Sequence, residues 1–165
     1  MEEFKKIFGS QKVMQLGYVF KDIKKQAKIM ESLFGIPPFA FSEGEAGNIV
    51  YRGNESVVHV SLSISRYFNT QLELIQWNSG ECLYKEFLDQ GREGLHHISL
   101  FVQDLDKYIE EIKKMGIEII QSGETGPSHW VYLDTEATFG TIIEVQEIMS
   151  NSRRRKRERE RQKQS

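Results

Sequence analysis

The sequence predicts an α+β fold in which two paired βαβββ modules form one curved mixed sheet, a cup with its helices outside. Three observations predict it. The stretch Gly94-Leu95-His96-His97-Ile98-Ser99-Leu100-Phe101-Val102-Gln103-Asp104-Leu105-Asp106 reads as a strand that runs straight into a helix. Met14-Gln15-Leu16-Gly17-Tyr18-Val19-Phe20-Lys21-Asp22-Ile23 repeats the pattern 82 residues earlier, with Gln15 where His97 stands, Asp22 where Asp104 stands and Ile23 where Leu105 stands. In both places further extended segments follow the helix, and an internal duplication accounts for this.

Composition bounds the reading. The 165 residues allow one domain, or two small modules sharing a core. An apolar content of 39% is enough for a packed interior. No apolar run approaches the roughly 18 residues of a membrane span. Met1-Glu2-Glu3-Phe4-Lys5-Lys6 mixes both signs of charge without an apolar stretch, so no secretory signal is expected there. The single Cys82 cannot form an internal disulfide, and a cytoplasmic protein is expected. Eight basic and two acidic residues put +6 on residues 153–163. That leaves −8 on the rest of a chain whose net charge is −2.

Residues 1–11 are polar. A strand follows at about 12–20, with Met14, Leu16, Tyr18 and Phe20 on one face and Gln15, Gly17 and Val19 on the other. Asp22 is a good N-cap, Ile23, Ala27, Met30, Leu33 and Phe34 recur at helical spacing, and Gly35 stops the helix. Pro37-Pro38 opens an extended piece at 39–41. Ser42–Asn48 reads as a loop, 49–52 as a short extended piece, and 57–64 and 71–77 as strands joined by a hairpin at 65–70. The linker 78–93 holds a turn at Asn78-Ser79-Gly80 and a short helix within 81–90. The second module, 94–147, repeats the first: a strand at 95–102, Asp104 as N-cap, and helical apolar positions Leu105, Tyr108, Ile109, Ile112 and Met115 closed by Gly116. Then come an extended piece at 117–121, a Gly/Pro loop at 122–128, and strands at 129–134 and 140–147. The modules thus span 12–77 and 94–147, and 148–165 is a basic tail, disordered or a frayed helix.

Strand parity selects the residues that carry chemistry. Leu72 and Leu74 face the helices, so Glu73 faces the cup. Ile143 and Val145 face the helices, so Glu144 faces the cup beside Ile142. Glutamate is disfavoured in strands and almost never buried unpaired. His97 and Gln15 take the cupped face of the duplicated first strands. Four polar groups from four equivalent strands therefore converge: Gln15, Glu73, His97 and Glu144. One imidazole nitrogen and up to three oxygens suit a divalent cation, whether zinc, cobalt, nickel or manganese. Two carboxylates held close together also favour a cation or a raised pKa on one of them.

His96 falls on the helix-facing side and reads as structural. His59 shares a face with Ser61 and Ser63, opposite Val58 and Val60, and is expected to look into the cup. His129 belongs at a rim. Cys82, on a surface helix without a basic partner, reads as inert. Gly91-Arg92-Glu93-Gly94 is a turn that could meet an anionic group. No phosphate-binding glycine loop is present. The basic tail lacks interleaved aromatics, so nucleic acid is not an expected partner.

The Gly94–Ile98 strand with Val102–Asp106, the strand Gln71-Leu72-Glu73-Leu74-Ile75-Gln76 and the strand Gly140-Thr141-Ile142-Ile143-Glu144-Val145 resemble the vicinal oxygen chelate superfamily of glyoxalases, epimerases, extradiol dioxygenases and bleomycin-resistance proteins. The likeness covers roughly residues 12–147. Within the superfamily, the Gly91–Ile98 segment and the short linker look most like methylmalonyl-CoA epimerase. The resemblance implies a metal bound at Gln15, Glu73, His97 and Glu144. Such epimerases usually carry His and Gln at the first two of those positions, whereas a Gln/Glu/His/Glu set is that of zinc-dependent glyoxalase I. The resemblance also implies a pair of glutamate bases, of which one matches Glu144 and the other falls at His59.

The implied function is a metal-dependent epimerase or isomerase acting next to a carbonyl through an enolate, with an acyl-CoA such as methylmalonyl-CoA as the small-molecule substrate. Glu144 serves as one base and His59 or Glu73 serves the opposite face. The alternatives are a glyoxalase I-type lyase acting on a thiol hemithioacetal and a non-catalytic small-molecule binding protein of the same fold. Relatives commonly dimerise, and a homodimer is expected.

Overall fold

The computed structural model describes residues 12–163, so the polar segment 1–11 lies outside the described residues. In chain order the elements are β1 (Val13–Val19), α1 (Ile23–Phe34), β2 (Ala40–Tyr51), β3 (Asn54–Tyr67), β4 (Thr70–Ser79), α2 (Leu83–Asp89), β5 (Gly94–Phe101), α3 (Leu105–Lys114), β6 (Ile119–Thr125), β7 (Ser128–Leu133), α4 (Glu136–Phe139), β8 (Ile142–Ile148) and α5 (Asn151–Arg161). The strands run β1-β4-β3-β2-β6-β7-β8-β5 around a mixed, closed barrel. Within the modules β1 pairs with β4 and β5 with β8, both parallel. The modules join antiparallel twice, through β1–β5 and β2–β6. Both modules of the cup thus come from one chain, and the β2–β6 seam closes it.

The register keeps the repeat. Gln15 lies opposite Ser99 and Gly17 opposite His97, and an offset of 82 exchanges the two pairs. Gly17 also neighbours Glu73, as Ser99 neighbours Glu144.

Local chemistry sets the helices. The Asp22 carboxylate accepts from the Lys25 N–H at 2.9 Å, and Gly35 closes α1 at φ 63°. Asp104 accepts from the Lys107 N–H at 3.2 Å, while Lys113 and Lys114 sit at the negative end of α3. Each such cap is worth about 1 kcal/mol. Helix α1 buries Ile23 and Ala27 on Leu72 and Leu74, and α3 buries Leu105 and Ile112 on Val131, Ile143 and Val145. These outer faces leave Val19, Val58, Val60, Ile75, Trp130, Tyr132 and Ile142 for the interior, where Leu83, Tyr84 and Phe87 of α2 join them. Helix α2 therefore plugs one end of the barrel. No helix among the described residues is long and apolar enough to cross a membrane.

Three segments differ from expectation. Ser42–Asn48 belongs to β2, because β3 pairs with one edge of that strand and β6 with the other, across a register shift between Ala46 and Ile49. Ser122–Thr125 belongs to β6 for the same reason. Ladder partners for the backbone outweigh glycine's low strand propensity. Cys82 is buried rather than on a surface helix, and burial pushes its thiol up to about 11, which keeps it a poor nucleophile. The basic tail is helical over Asn151–Arg161. Arg153 pairs with Asp104 at 2.8 Å and Glu147 at 3.1 Å, and Arg157 pairs with Asp106 at 2.6 Å. An acidic patch on the body docks a helix that has no apolar face of its own.

Candidate functional site

The four strands β4, β1, β5 and β8 lie side by side, and alternation turns Glu73, Gln15, His97 and Glu144 to the interior. His97 is fully buried, and Gln15 and Glu144 are each 4% exposed. The His97 Nε2 stands 3.8 Å from Glu73 Oε2 and 3.6 Å from Glu144 Oε2. Gly17 makes this approach possible, since a Cβ there would overlap the His97 ring. Gln15 joins the cluster through Gln146, whose Nε2 lies 2.9 Å from Gln15 Oε1, 2.8 Å from Ser99 Oγ and 3.1 Å from Glu144 Oε2. Gln15 in turn donates to Gln71 at 3.2 Å.

The electrostatics are those of charges out of water. Burial raises the Glu73 carboxyl above the ordinary range. Burial raises Glu144 as well, Glu73 raises it further, and the Ser99 and Gln146 side chains offset part of the rise. Burial and the neighbouring His96 hold the His97 imidazole neutral. Two carboxylates in such a place either share a proton or take a cation.

The donor types are those a divalent cation takes. His97 Nε2 is a buried nitrogen with no hydrogen-bond partner. Two ligands held about 2.1 Å from a tetrahedral ion lie about 3.4 Å apart, close to the 3.6 and 3.8 Å found here. Among the described residues no group of three or more His, Cys, Asp or Glu side chains stands ready to hold a metal ion. Along the start of β2 the positions of interior parity, Ala40, Ser42 and Gly44, are exposed, and Ile64 stands between Ala40 and Glu73. A cleft of about 660 Å³ over the β2–β6 seam is lined elsewhere, by residues such as Ile49, Val57, Gly123 and Arg157.

His59 is a correction. Its side chain is 49% exposed and lies 3.9 Å from Glu45 on the outer surface. Val58 and Val60 take the interior positions of β3, and no helix covers the sheet at His59, so its parity points to water. His96 differs too. The β1–β5 register skips it, pairing Gly17 with His97 and Tyr18 with Leu95, and this bulge turns its ring inward onto Tyr84, Phe87 and Tyr132. His129 is buried beneath Arg157 at 3.3 Å. Arg92 stacks on Phe87 and pairs with Glu136, which makes the Gly91–Gly94 turn structural. Sequence reasoning missed Ser99, Gln146 and the hydrogen-bonded Tyr84–Tyr132 pair. The signal for the first two was available, since they share the parity of His97 and Glu144.

The profile of the Glyoxalase/Bleomycin resistance protein/Dioxygenase superfamily matches residues 14–132. The chain belongs to this superfamily. Solved structures agree on the fold. A hypothetical protein from Bacillus halodurans matches with a TM-score of 0.61 at 20% identity, over 86% of this chain and 97% of that one. The methylmalonyl-CoA epimerase from Mycobacterium tuberculosis matches with a TM-score of 0.61 at 16% identity, over 83% and 87%. A methylmalonyl-CoA epimerase in complex with methylmalonyl-CoA and NH4+ matches with a TM-score of 0.62 at 16% identity, over 85% and 98%. No curated protein matches the chain in sequence.

Proposed function

We propose that this chain is a proton-transfer enzyme, a divalent-metal-dependent epimerase or isomerase that works on a carbon next to a carbonyl, with an acyl-CoA such as methylmalonyl-CoA as substrate. One observation carries the reading: Glu73 and Glu144, one from each module, flank the same unpartnered His97 nitrogen at 3.8 and 3.6 Å. The epimerase neighbours, one of them in complex with methylmalonyl-CoA, support the substrate class.

His97, Glu73 and Glu144 would hold the cation, with Gln15 as a further oxygen donor. The cation would supply Lewis-acid polarisation of the carbonyl. The chain's own groups move the proton. The Glu144 carboxylate takes it from one face of the carbon, and the C–H electron pair passes toward the carbonyl oxygen. Glu73, in its acid form, returns a proton to the other face. For this exchange Glu73 would leave the cation in its acid form, with His97 and Glu144 still holding it. Raised carboxyl pKa values also bring both groups nearer the working pH of a general acid and base. Gln146 and Ser99 hold Glu144 in place.

The same donor set favours a second reading, a glyoxalase I-type lyase that shifts a proton between adjacent carbons of a thiol hemithioacetal. The test is wash-in of solvent deuterium into methylmalonyl-CoA with zinc, cobalt, nickel or manganese supplied, run beside a glutathione–methylglyoxal hemithioacetal assay. Deuterium incorporation that depends on Glu144 supports the epimerase reading. Turnover of the hemithioacetal alone favours the lyase. Tight ligand binding without either reaction leaves a binding protein. The reading also takes the chain as a cytoplasmic homodimer, and light scattering on the purified chain checks the stoichiometry.

A further inference from the structure

We propose that His96 is a positioning residue for His97: its Nδ1 accepts the His97 Nδ1–H, and this leaves the His97 Nε2 lone pair directed between Glu73 and Glu144. The inference rests on the metal-site reading above for its purpose, though not for its geometry. The two Nδ1 atoms are 3.1 Å apart in a buried place. At that distance one ring must donate and the other accept, because two lone pairs or two N–H groups would repel. Two arrangements satisfy the pair, and they put opposite chemistry at the centre of the barrel.

If His96 donated, His97 would carry its proton on Nε2. That N–H would point at carboxylate oxygens 3.6 and 3.8 Å away, beyond hydrogen-bond length, and it would occupy the position a cation needs. If His97 donates, its Nε2 is a bare lone pair, which matches a buried nitrogen without a hydrogen-bond partner. The unpartnered His97 Nε2 chooses between them: His97 donates through Nδ1, and His96 Nδ1 is the acceptor.

Rigid packing fixes the arrangement. The His96 ring is 3% exposed and meets the edges or faces of Tyr84, Phe87 and Tyr132 at centroid distances of 5.3, 5.1 and 5.8 Å. The bulge in β5 lets two consecutive side chains reach the interior, and Gly17 gives the second of them room. A metal-bound histidine usually donates its other N–H to a carboxylate or carbonyl. Here a second histidine takes that role.

The test is a long-range proton–nitrogen correlation spectrum of the metal-free wild-type chain, with cobalt and zinc affinities of His96→Phe and His96→Asn measured by calorimetry. The expected result is His97 protonated on Nδ1. Affinity should fall by about 10- to 100-fold in His96→Phe, which keeps a packed ring but no acceptor. It should stay near wild type in His96→Asn, whose amide oxygen can take the place of Nδ1. His97 protonated on Nε2 would overturn the proposal, as would a folded His96→Phe that binds cobalt as tightly as wild type. If His96→Phe does not fold, the wild-type spectrum still decides. A wild-type chain that shows the Nδ1 proton and binds no divalent cation supports the assignment to His96 while overturning the metal reading.

Discussion

Gln15 in the first module and His97 in the second stand at equivalent points of the repeat, yet their environments make them different groups. The Gln15 amide is hydrogen-bonded on both sides, Oε1 accepting from Gln146 and Nε2 donating to Gln71. The His97 Nε2 has no hydrogen-bond partner. The same divergence separates the glutamates. Gln146 and Ser99 hold Glu144, whereas the first module has Ile75 and Gly17 at the corresponding places. Among the described residues Glu73 receives no side-chain hydrogen bond of this kind, and its side chain is 15% exposed against 6% for Glu144. A duplicated sheet therefore supplies matched positions, and single exchanges of small for polar residues give one position room and the other its hydrogen bonds. Glycine at position 17 is what admits the histidine across the seam.

The largest effect should fall on the better-held glutamate. Glu144→Gln is expected to lower deuterium exchange by about 10²- to 10⁴-fold with an unchanged circular dichroism spectrum. Glu73→Gln tests whether the looser partner matters as much on the opposite face. Gly17→Ala should come next. The new Cβ meets the His97 ring, so we expect about 1–3 kcal/mol of destabilisation in denaturant unfolding, together with loss of cation affinity. Ser99→Ala, its counterpart in the other module, should cost only about 1 kcal/mol.

A smaller effect separates the core groups by pH in the metal-free chain. Folding raises the Glu73 and Glu144 pKa values, so their contribution to stability is full below the ordinary glutamate value of about 4.3 and is lost as pH rises through the raised values. Folding lowers those of His96 and His97, so theirs is full above about 6.5 and is lost as pH falls. The two trends oppose each other between those values, and above about 6.5 only the carboxylates titrate. The melting temperature should therefore fall from mildly acidic toward alkaline pH, and a bound divalent cation should abolish that fall. A melting temperature that rises over this range would contradict the buried carboxylate pair. The smallest effect belongs to α5, whose Arg153 and Arg157 pair with acidic residues of the second module. Arg157→Ala should cost under about 1 kcal/mol, and helical circular dichroism should drop as salt approaches about 1 M.

Much of this was legible in the sequence, because period-two parity and helix caps are local. Asp22, Gly35 and Asp104 act as expected, and Gln15, Glu73, His97 and Glu144 all face inward. What was hidden depends on partners distant in sequence. The glycine-rich stretch at 42–48 becomes a strand because β3 pairs along it and β6 joins at Gly47. His59 was assigned by contrast with apolar neighbours, and the contrast gave the wrong face because those valines fill the barrel. His96 followed parity until a bulge broke it, and a bulge is set by the register with β1 rather than by β5 itself.

The account turns on one measurement, the stoichiometry of cobalt binding to the full chain near neutral pH, for wild type and for His97→Ala. One ion per wild-type chain and none bound by a folded His97→Ala is the predicted result. Equal binding by both, or none by wild type, would contradict a metal centre between Glu73 and Glu144.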